Sequence, residues 1–334
     1  MELRGKRILI TGANGFIGGR LAERLAAEAG ARVRGLIRRQ PDPSVETFQV
    51  ALGDVTDADA MRVAADGCAA IIHCAALQGG KHRLADFRRV NVAGTINVLR
   101  AAREAQVARV IHLSTINALG VPPPANAHAD SPLVFAGDFY ARTKAEGERA
   151  AWNFARDHNL ALTVIRPGCT YGPRSHAWTI TPINRLRRKR PVLIGAGDGM
   201  CNAIYIDNLV DLIVLALEKD AAIGQTFIGT EGRGVTWREF YGAYARLLGV
   251  PVHAMPKWFA LAVTLPFEML ARLTGYPSRV ARASVEFYSH RVVFDIDKSR
   301  RLLGYAPRVS FAEGMARTAA WVASGNQKTK SEGR

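Results

Sequence analysis

Tyr140 and Lys144 stand four residues apart, a spacing that places a phenol and an ammonium on one helical face, where both can act on the same point. Upstream, the run Arg109-Val110-Ile111-His112-Leu113 ends in two hydroxyls, Ser114 and Thr115. This set suits proton transfer at a single oxygen atom: the phenol as acid or base, the ammonium to bias its charge, a hydroxyl to hold the reacting oxygen. A phenol with a free pKa near 10 is a poor base at neutral pH, and a positive neighbour favours its ionised form. A Tyr–Lys pair at this spacing is common by chance. Its weight comes from the elements that would position it.

The first of these elements is the stretch Thr11-Gly12-Ala13-Asn14-Gly15-Phe16-Ile17-Gly18-Gly19. It follows the apolar run Arg7-Ile8-Leu9-Ile10, which reads as a buried strand, and precedes Arg20 to Ala26, whose apolar residues recur at helical spacing. Strand, glycine turn and helix open a dinucleotide-binding βαβ unit. Gly12 allows the tight turn, Gly15 lets a diphosphate approach the backbone, and Gly18 packs the helix on the strand. The diphosphate then meets the unpaired N–H groups of the helix N-terminus, around Asn14, Phe16 and Ile17.

The second strand, Arg32 to Ile37, decides the adenosine half of the cofactor. An NAD site normally sets a carboxylate at the end of this strand to hold the ribose hydroxyls. Here Ile37 takes that place and Arg38 and Arg39 follow, two guanidinium groups able to chelate a 2′-phosphate. NADP(H) is therefore favoured, with NAD(H) as the second option. A strand near Phe48 to Val50 leads to Gly53-Asp54-Val55, where Asp54 either receives the adenine amino group or caps the helix starting near Asp57. The fourth strand begins at Ala70 and ends in Cys74-Ala75-Ala76, small residues that let the cofactor lie close. His73, within that buried strand, reads as structural. A helix from about Leu84 to Ala105 carries Asn91, a buried amide that either braces a water chain or supports a backbone kink.

The chain has 334 residues, 48% apolar and 22% charged, enough for a large α/β core. Lys and Arg outnumber Asp and Glu by 45 to 29, a formal charge of +16 that suits a phosphorylated cofactor, an anionic substrate or a membrane surface, or reflects composition alone. Cys68, Cys74, Cys169 and Cys201 show no metal-ligand spacing, so no metal is expected, and a reducing, cytoplasmic setting fits. No apolar run approaches bilayer-spanning length. Nothing resembles a nucleic-acid module, and no aromatic residues interleave the basic run Arg185 to Arg190, which reads as a solvated helix end or as a contact for phosphate or anionic lipid.

Together these residues resemble the extended branch of the short-chain dehydrogenase/reductase superfamily. The resemblance rests on Gly12, Gly15, Gly18, Asn91, Thr115, Tyr140 and Lys144, and continues through Arg166-Pro167-Gly168-Cys169-Thr170-Tyr171-Gly172-Pro173. It extends to Ile204-Tyr205-Ile206-Asp207-Asn208-Leu209 and to Leu303-Gly304-Tyr305-Ala306-Pro307. It implies a doubly wound parallel sheet, or Rossmann fold, over residues 1–175 with a returning segment about 200–230. A smaller substrate-binding α/β part would take about 176–200 and 231–323, and a flexible tail 324–334. It implies Tyr140 as acid/base, Lys144 as its activator and holder of the nicotinamide ribose, Thr115 as the hydroxyl on the substrate oxygen, and Asn91 as a fourth member. Pro167, Gly168, Val55 and Ser114 fall among the expected cofactor contacts, and a homodimer paired through the Tyr140 helix is expected.

Within the family, the segment after Gly197-Asp198-Gly199 lacks the arginine with which sugar-nucleotide enzymes grip a diphosphate. The end of the second strand resembles the dihydroflavonol reductases, and the C-terminal half the 3β-hydroxysteroid and sterol-carboxylate dehydrogenases. The implied activity is interconversion of a ketone and a secondary alcohol on a steroid-, flavonoid- or lipid-like small molecule. A sugar epimerase or dehydratase is the alternative, and a non-catalytic redox sensor the third reading. The apolar segment Pro256 to Leu273, interrupted by Pro266 and by Lys257, Glu268 and Arg272, reads as a substrate lid, a peripheral membrane contact, or a core or dimer helix.

Overall fold

The computed structural model describes residues 1–39, 48–80, 82–274, 278 and 281–325. Its elements, in order, begin with β1 (Arg7–Thr11), α1 (Phe16–Ala27), β2 (Arg32–Ile37), β3 (Gln49–Leu52), α2 (Ala58–Ala65) and β4 (Ala70–His73). Next come α3 (Leu84–Arg88), α4 (Gly94–Glu104), β5 (Arg109–Leu113), α5 (Phe139–Asp157), β6 (Leu162–Pro167) and β7 (Cys169–Tyr171). The remainder comprises α6 (Thr181–Arg187), β8 (Leu193–Ile194), β9 (Ala203–Tyr205), α7 (Ile206–Glu218), β10 (Thr226–Gly229), α8 (Trp237–Leu248), β11 (Ala254–Met255), α9 (Lys257–Thr274), α10 (Arg282–Ser289), α11 (Asp297–Leu303) and α12 (Phe311–Ala323).

Seven strands form one parallel sheet in the order β10-β6-β5-β4-β1-β2-β3. Helices cover both faces, so β4, β5 and β6 are buried along their whole length, which is why their sequences are apolar runs without alternation. The order reverses between β1 and β4, and ligands of such sheets bind in the crevice at the carboxyl ends beside that reversal. Register puts Thr11 of β1 beside His73 of β4, and His73 beside His112 of β5. The ends that carry the glycine loop, Ala75 and Thr115 therefore lie side by side. The doubly wound α/β fold matches the expectation.

Residues 176–194 and 231–325 lie outside the large sheet. They build one short ladder, β8 with β11, and helices around an aromatic centre of Trp237, Phe240, Tyr241 and Tyr244, all fully buried; a second ladder, β7 with β9, lies between them and the large sheet in sequence. Their core is continuous with that of the β1 side of the sheet, through Leu209, Ile213 and Leu21. Side chains of α1 and α7 are also ion-paired: Arg20 to Asp207 at 2.6 Å and Arg24 to Asp211 at 2.7 Å.

Three local expectations change. The helix predicted over Leu84 to Ala105 is broken by a π turn, Arg89–Ala93, that contains Asn91. The run Arg291-Val292-Val293-Phe294-Asp295, whose β-branched and aromatic residues suggest a short strand, forms none: the Asn202 side chain pairs with its backbone, accepting from Phe294 N at 3.1 Å and donating to Val292 O at 2.9 Å. One amide thus replaces a ladder. In the expected tail, Ser324 and Gly325 close α12, and residues 326–334 lie outside the described residues.

Candidate active site

A cleft of about 290 Å³ opens at the carboxyl ends of the strands, over Gly12, Gly15, Phe16, Ile17 and Gly18 on one side and Thr115, Tyr140 and Lys144 on the other. The glycine loop is built for close approach. Gly12 has φ +70°, and a side chain on Gly18 would lie 2.4 Å from the Gly12 carbonyl oxygen. Gly15, in extended conformation, precedes α1 and supplies no side-chain cap, so the helix N-terminus faces the cleft with its N–H groups. A dinucleotide diphosphate fits this cradle on the geometry of the loop alone.

Tyr140 and Lys144 are held by the first turns of α5, which Asp138 caps by accepting from Ala141 N at 2.7 Å. Lys144 is buried and donates to the Leu113 carbonyl oxygen at 2.5 Å, at the end of β5. Thr115 starts the 3₁₀ turn Ile116–Leu119, its hydroxyl accepting from Asn117 N at 3.3 Å, and it lines the cleft together with Tyr140. Ser114 also lines the cleft, with its buried hydroxyl lacking a partner among the described residues.

Burial dominates the electrostatics of this pair. Burial, reinforced by the Asp138 charge, pushes the Tyr140 phenol up to about 12, against the downward pull of the Thr115 hydrogen bond. Burial also brings Lys144 down to about 8, with Glu148 and Cys74 opposing. Lys144 is engaged with a backbone carbonyl. Burial thus favours the neutral phenol, while Lys144, still above neutral pH, keeps its charge at pH 7. The Cys74 thiol is likewise pushed up to about 12 by burial, which suits a structural wall and not a thiolate.

Asn91 does not line the cleft. Its side-chain oxygen accepts from Leu77 N at 2.8 Å, and its nitrogen donates to Leu77 O at 3.1 Å and Thr143 Oγ1 at 3.1 Å. It ties the segment after β4 to α5, one residue before Lys144, so it positions and does not touch the cleft. The Asn91 carbonyl accepts from Thr95 Oγ1 at 2.8 Å, and Thr95 in turn meets His73 Nε2 at 3.1 Å. His73 Nδ1 lies 2.8 Å from Thr11 Oγ1, and burial lowers the ring to about 3, so this histidine is neutral and structural.

The other predicted contacts divide. Ala76, Pro167 and Gly168 line the cleft; Ala75 supports it, donating its N–H to Thr11 Oγ1 at 3.2 Å. Asn14 is exposed at the loop rim. Val55 is a core residue, packed with α2 and α4 side chains, and the cleft does not reach it. Asp54 accepts from Thr56 N at 2.8 Å, while Asp57 caps α2; Asp54 is thus no helix cap, and stands next to Gly53, which is bonded to Ile37 O. Arg38 and Arg39 are both exposed just beyond β2.

Residues without a sequence motif complete the walls. Trp178, on the π turn His176–Ile180, stacks on Phe287 of α10 at 5.9 Å between centroids and 28° between planes. Gln78, Asn117 and His176 add polar groups to the lining. Asn117 was findable as the second residue after Thr115. Phe287 was not, because α10 carries no motif. The apolar segment α9, for which a substrate lid was one of the readings, is not among the lining residues.

Comparison with known proteins places this geometry. The sequence model of the NAD dependent epimerase/dehydratase family matches residues 8–228. The chain belongs to that family. It is 29% identical over 320 residues to a 4-hydroxy-2-methyl-3-oxo-4-farnesyl-3,4-dihydroquinoline-1-oxide ketoreductase of Stigmatella aurantiaca, covering 92% of this chain and 94% of that one. It is 28% identical over 338 residues to a sterol-4-alpha-carboxylate 3-dehydrogenase (decarboxylating) of Mus musculus, covering 94% and 90%. Among solved structures, DesIV, a dTDP-glucose 4,6-dehydratase of Streptomyces venezuelae with NAD and TYD bound, superposes with a TM-score of 0.77 at 25% identity, covering 96% and 98%. The protein is an NAD(P)-dependent enzyme of the extended short-chain dehydrogenase type. Among the described residues, no helix is long and apolar enough to cross a membrane, and no group of metal-ligating side chains is present.

Proposed function

We propose that the chain is an NADP(H)-dependent reductase or dehydrogenase that interconverts a ketone and a secondary alcohol on an apolar or mixed small molecule. The observation that carries this reading is the single cleft in which Thr115, Tyr140 and Lys144 face the Trp178–Phe287 wall. That wall suits a flat apolar body, stacking on aromatic faces and shedding water on entry. The similarity to a quinoline-oxide ketoreductase and a sterol-carboxylate dehydrogenase supports it.

The nicotinamide would exchange a hydride with the substrate carbon. The loop Gly12 to Gly18 would hold its diphosphate, and Arg38 and Arg39 a 2′-phosphate, since Ile37 is buried and presents no carboxylate to repel one. Tyr140 is protonated at neutral pH, so it enters in the form that donates to a carbonyl oxygen, the reduction direction. Thr115 would donate its hydroxyl to the same substrate oxygen. Lys144 sits behind both, fixed on Leu113 O, and its charge supports the oxyanion left when the tyrosine proton moves.

Tyr140→Phe should reduce turnover of a ketone panel by roughly a hundredfold or more, the scale of a lost general acid, while NADPH binding, read by fluorescence, is retained. Activity within a few-fold of the parent would overturn the assignment. A sugar epimerase or dehydratase remains the second reading, favoured by the likeness to DesIV. It predicts cofactor retained through purification and no net change in cofactor redox state during turnover.

A further inference from the structure

The helix α9 is folded with its large apolar residues outside. Its inward positions are small, Ala260 and Thr264, at 3% and 2% exposure. Trp258, Leu265, Met269 and Leu273 are 72%, 62%, 66% and 84% exposed. With the exposed Ala262, these recur at intervals of four, three, four and four, one continuous stripe. Phe259 and Leu270 widen it. Surface helices ordinarily turn their apolar stripe to the core. Seven of the thirteen large hydrophobics exposed among the described residues lie on this one helix, so the exposure is concentrated and not scattered.

Positive charge borders the stripe. Lys257 opens α9 and Arg282 opens α10, which packs against it; both are exposed. The basic run ending α6 supplies Arg185, Arg188, Lys189 and Arg190, all exposed. The β8–β11 ladder brings that run to the same module: Val192 N donates to His253 O at 3.0 Å, and Leu193 pairs with Ala254, three residues before α9. Arg185 is near enough to act on the phenol of Tyr288 in α10.

We propose that α9 and this basic border form a docking surface for an anionic lipid bilayer, the apolar stripe entering the acyl boundary and the cations meeting the headgroups. Trp, Phe and Leu beside Lys and Arg is the composition of an interfacial helix. Charge selects the occupant. Two copies joined through this face would bring two basic borders together in chains of net charge +16, whereas an anionic membrane surface complements them. The surface is one helix away from the cleft, because α10 also carries Phe287, so an enzyme docked here would draw an apolar substrate from the lipid phase. Docking itself is independent of the reaction proposed above.

Flotation of the full chain with vesicles of phosphatidylcholine alone, or mixed equally with phosphatidylglycerol, tests this. The protein should float with the anionic vesicles, weakly with the neutral ones, and less as salt rises. Leu265→Asp with Met269→Asp, at solvent-facing positions, should weaken anionic-vesicle binding roughly tenfold or more, as should Arg188→Glu with Lys189→Glu. Circular dichroism melting checks that each variant folds. In the unaltered chain, brominated lipid should quench tryptophan emission, and Trp258→Phe should remove most of that quenching. Absence of flotation and of quenching would overturn the proposal. So would equal, salt-insensitive binding to both vesicles, or a dimer in sedimentation that Leu265→Asp with Met269→Asp dissociates.

Discussion

At the scale of single residues, the site divides cleanly between groups that touch the reaction space and groups that hold them. Tyr140, Thr115 and Lys144 belong to the first kind, Asn91 and His73 to the second. Residue types and intervals made the first kind legible, because a Tyr–Lys pair at four residues and hydroxyls at a strand end have few other combined uses. The protonation bias was not legible, since desolvation depends on neighbours distant in the chain. The cofactor's phosphate preference is also decided by single side chains. Arg38→Ala should lower NADPH affinity about tenfold or more while leaving NADH nearly unchanged, the consequence of removing one charge-assisted phosphate contact. Isothermal titration with both cofactors checks it, and an equal loss for both would show that Arg38 does not read the phosphate.

At the scale of elements, α5 is what the site depends on, and a buried ion pair fastens it. Arg166 of β6 reaches Glu148 of α5 at 2.6 Å, and its other end donates to Ala129 O at 3.0 Å. Both side chains are almost wholly enclosed. Glu148→Gln leaves the guanidinium without its counter-charge and should cost about 3–5 kcal/mol in denaturant unfolding. Glu148→Leu combined with Arg166→Met should recover most of that loss, and a double variant as unstable as the single would refute the account. Of the elements, strands β1, β2, β4 and β5 were readable as apolar runs. The π turn at Asn91 and the irregular segment at Val292 were hidden. In both, a side-chain amide satisfies backbone groups, a local bargain with no periodic signature.

At the scale of the whole molecule, two adjacent buried histidines under the site, their rings tilted by 35°, make stability acid-sensitive. His73 and His112 lie 5.3 Å apart between ring centroids, and both rings are held below their usual value by burial. Their unfolded forms take up protons that the folded forms refuse, so stability is full above about pH 6.5 and falls as pH drops toward the folded value of about 3 for His73. Each ring contributes up to about 1.4 kcal/mol per pH unit in that window. Neither nitrogen of His112 has a partner among the described residues. His112→Leu should therefore raise stability by about 1 kcal/mol at neutral pH and make the acid limb shallower by about one proton, measured as unfolding free energy against pH. An unchanged limb would assign the acid sensitivity elsewhere. How the C-terminal residues are fastened was not visible from motif order. The N–H groups of Arg308 and Val309 both donate to Asn208 Oδ1 on α7 at 3.0 Å, Asn208 Nδ2 donates back to Val309 O at 2.7 Å, and Arg317 of α12 reaches Asp207 at 3.4 Å. For protein engineering, the C-terminal residues are consequently not a free-standing module: a chimera that imports another family member's C-terminal segment after residue 230 keeps Asp207 and Asn208, and the imported segment must present matching groups to them.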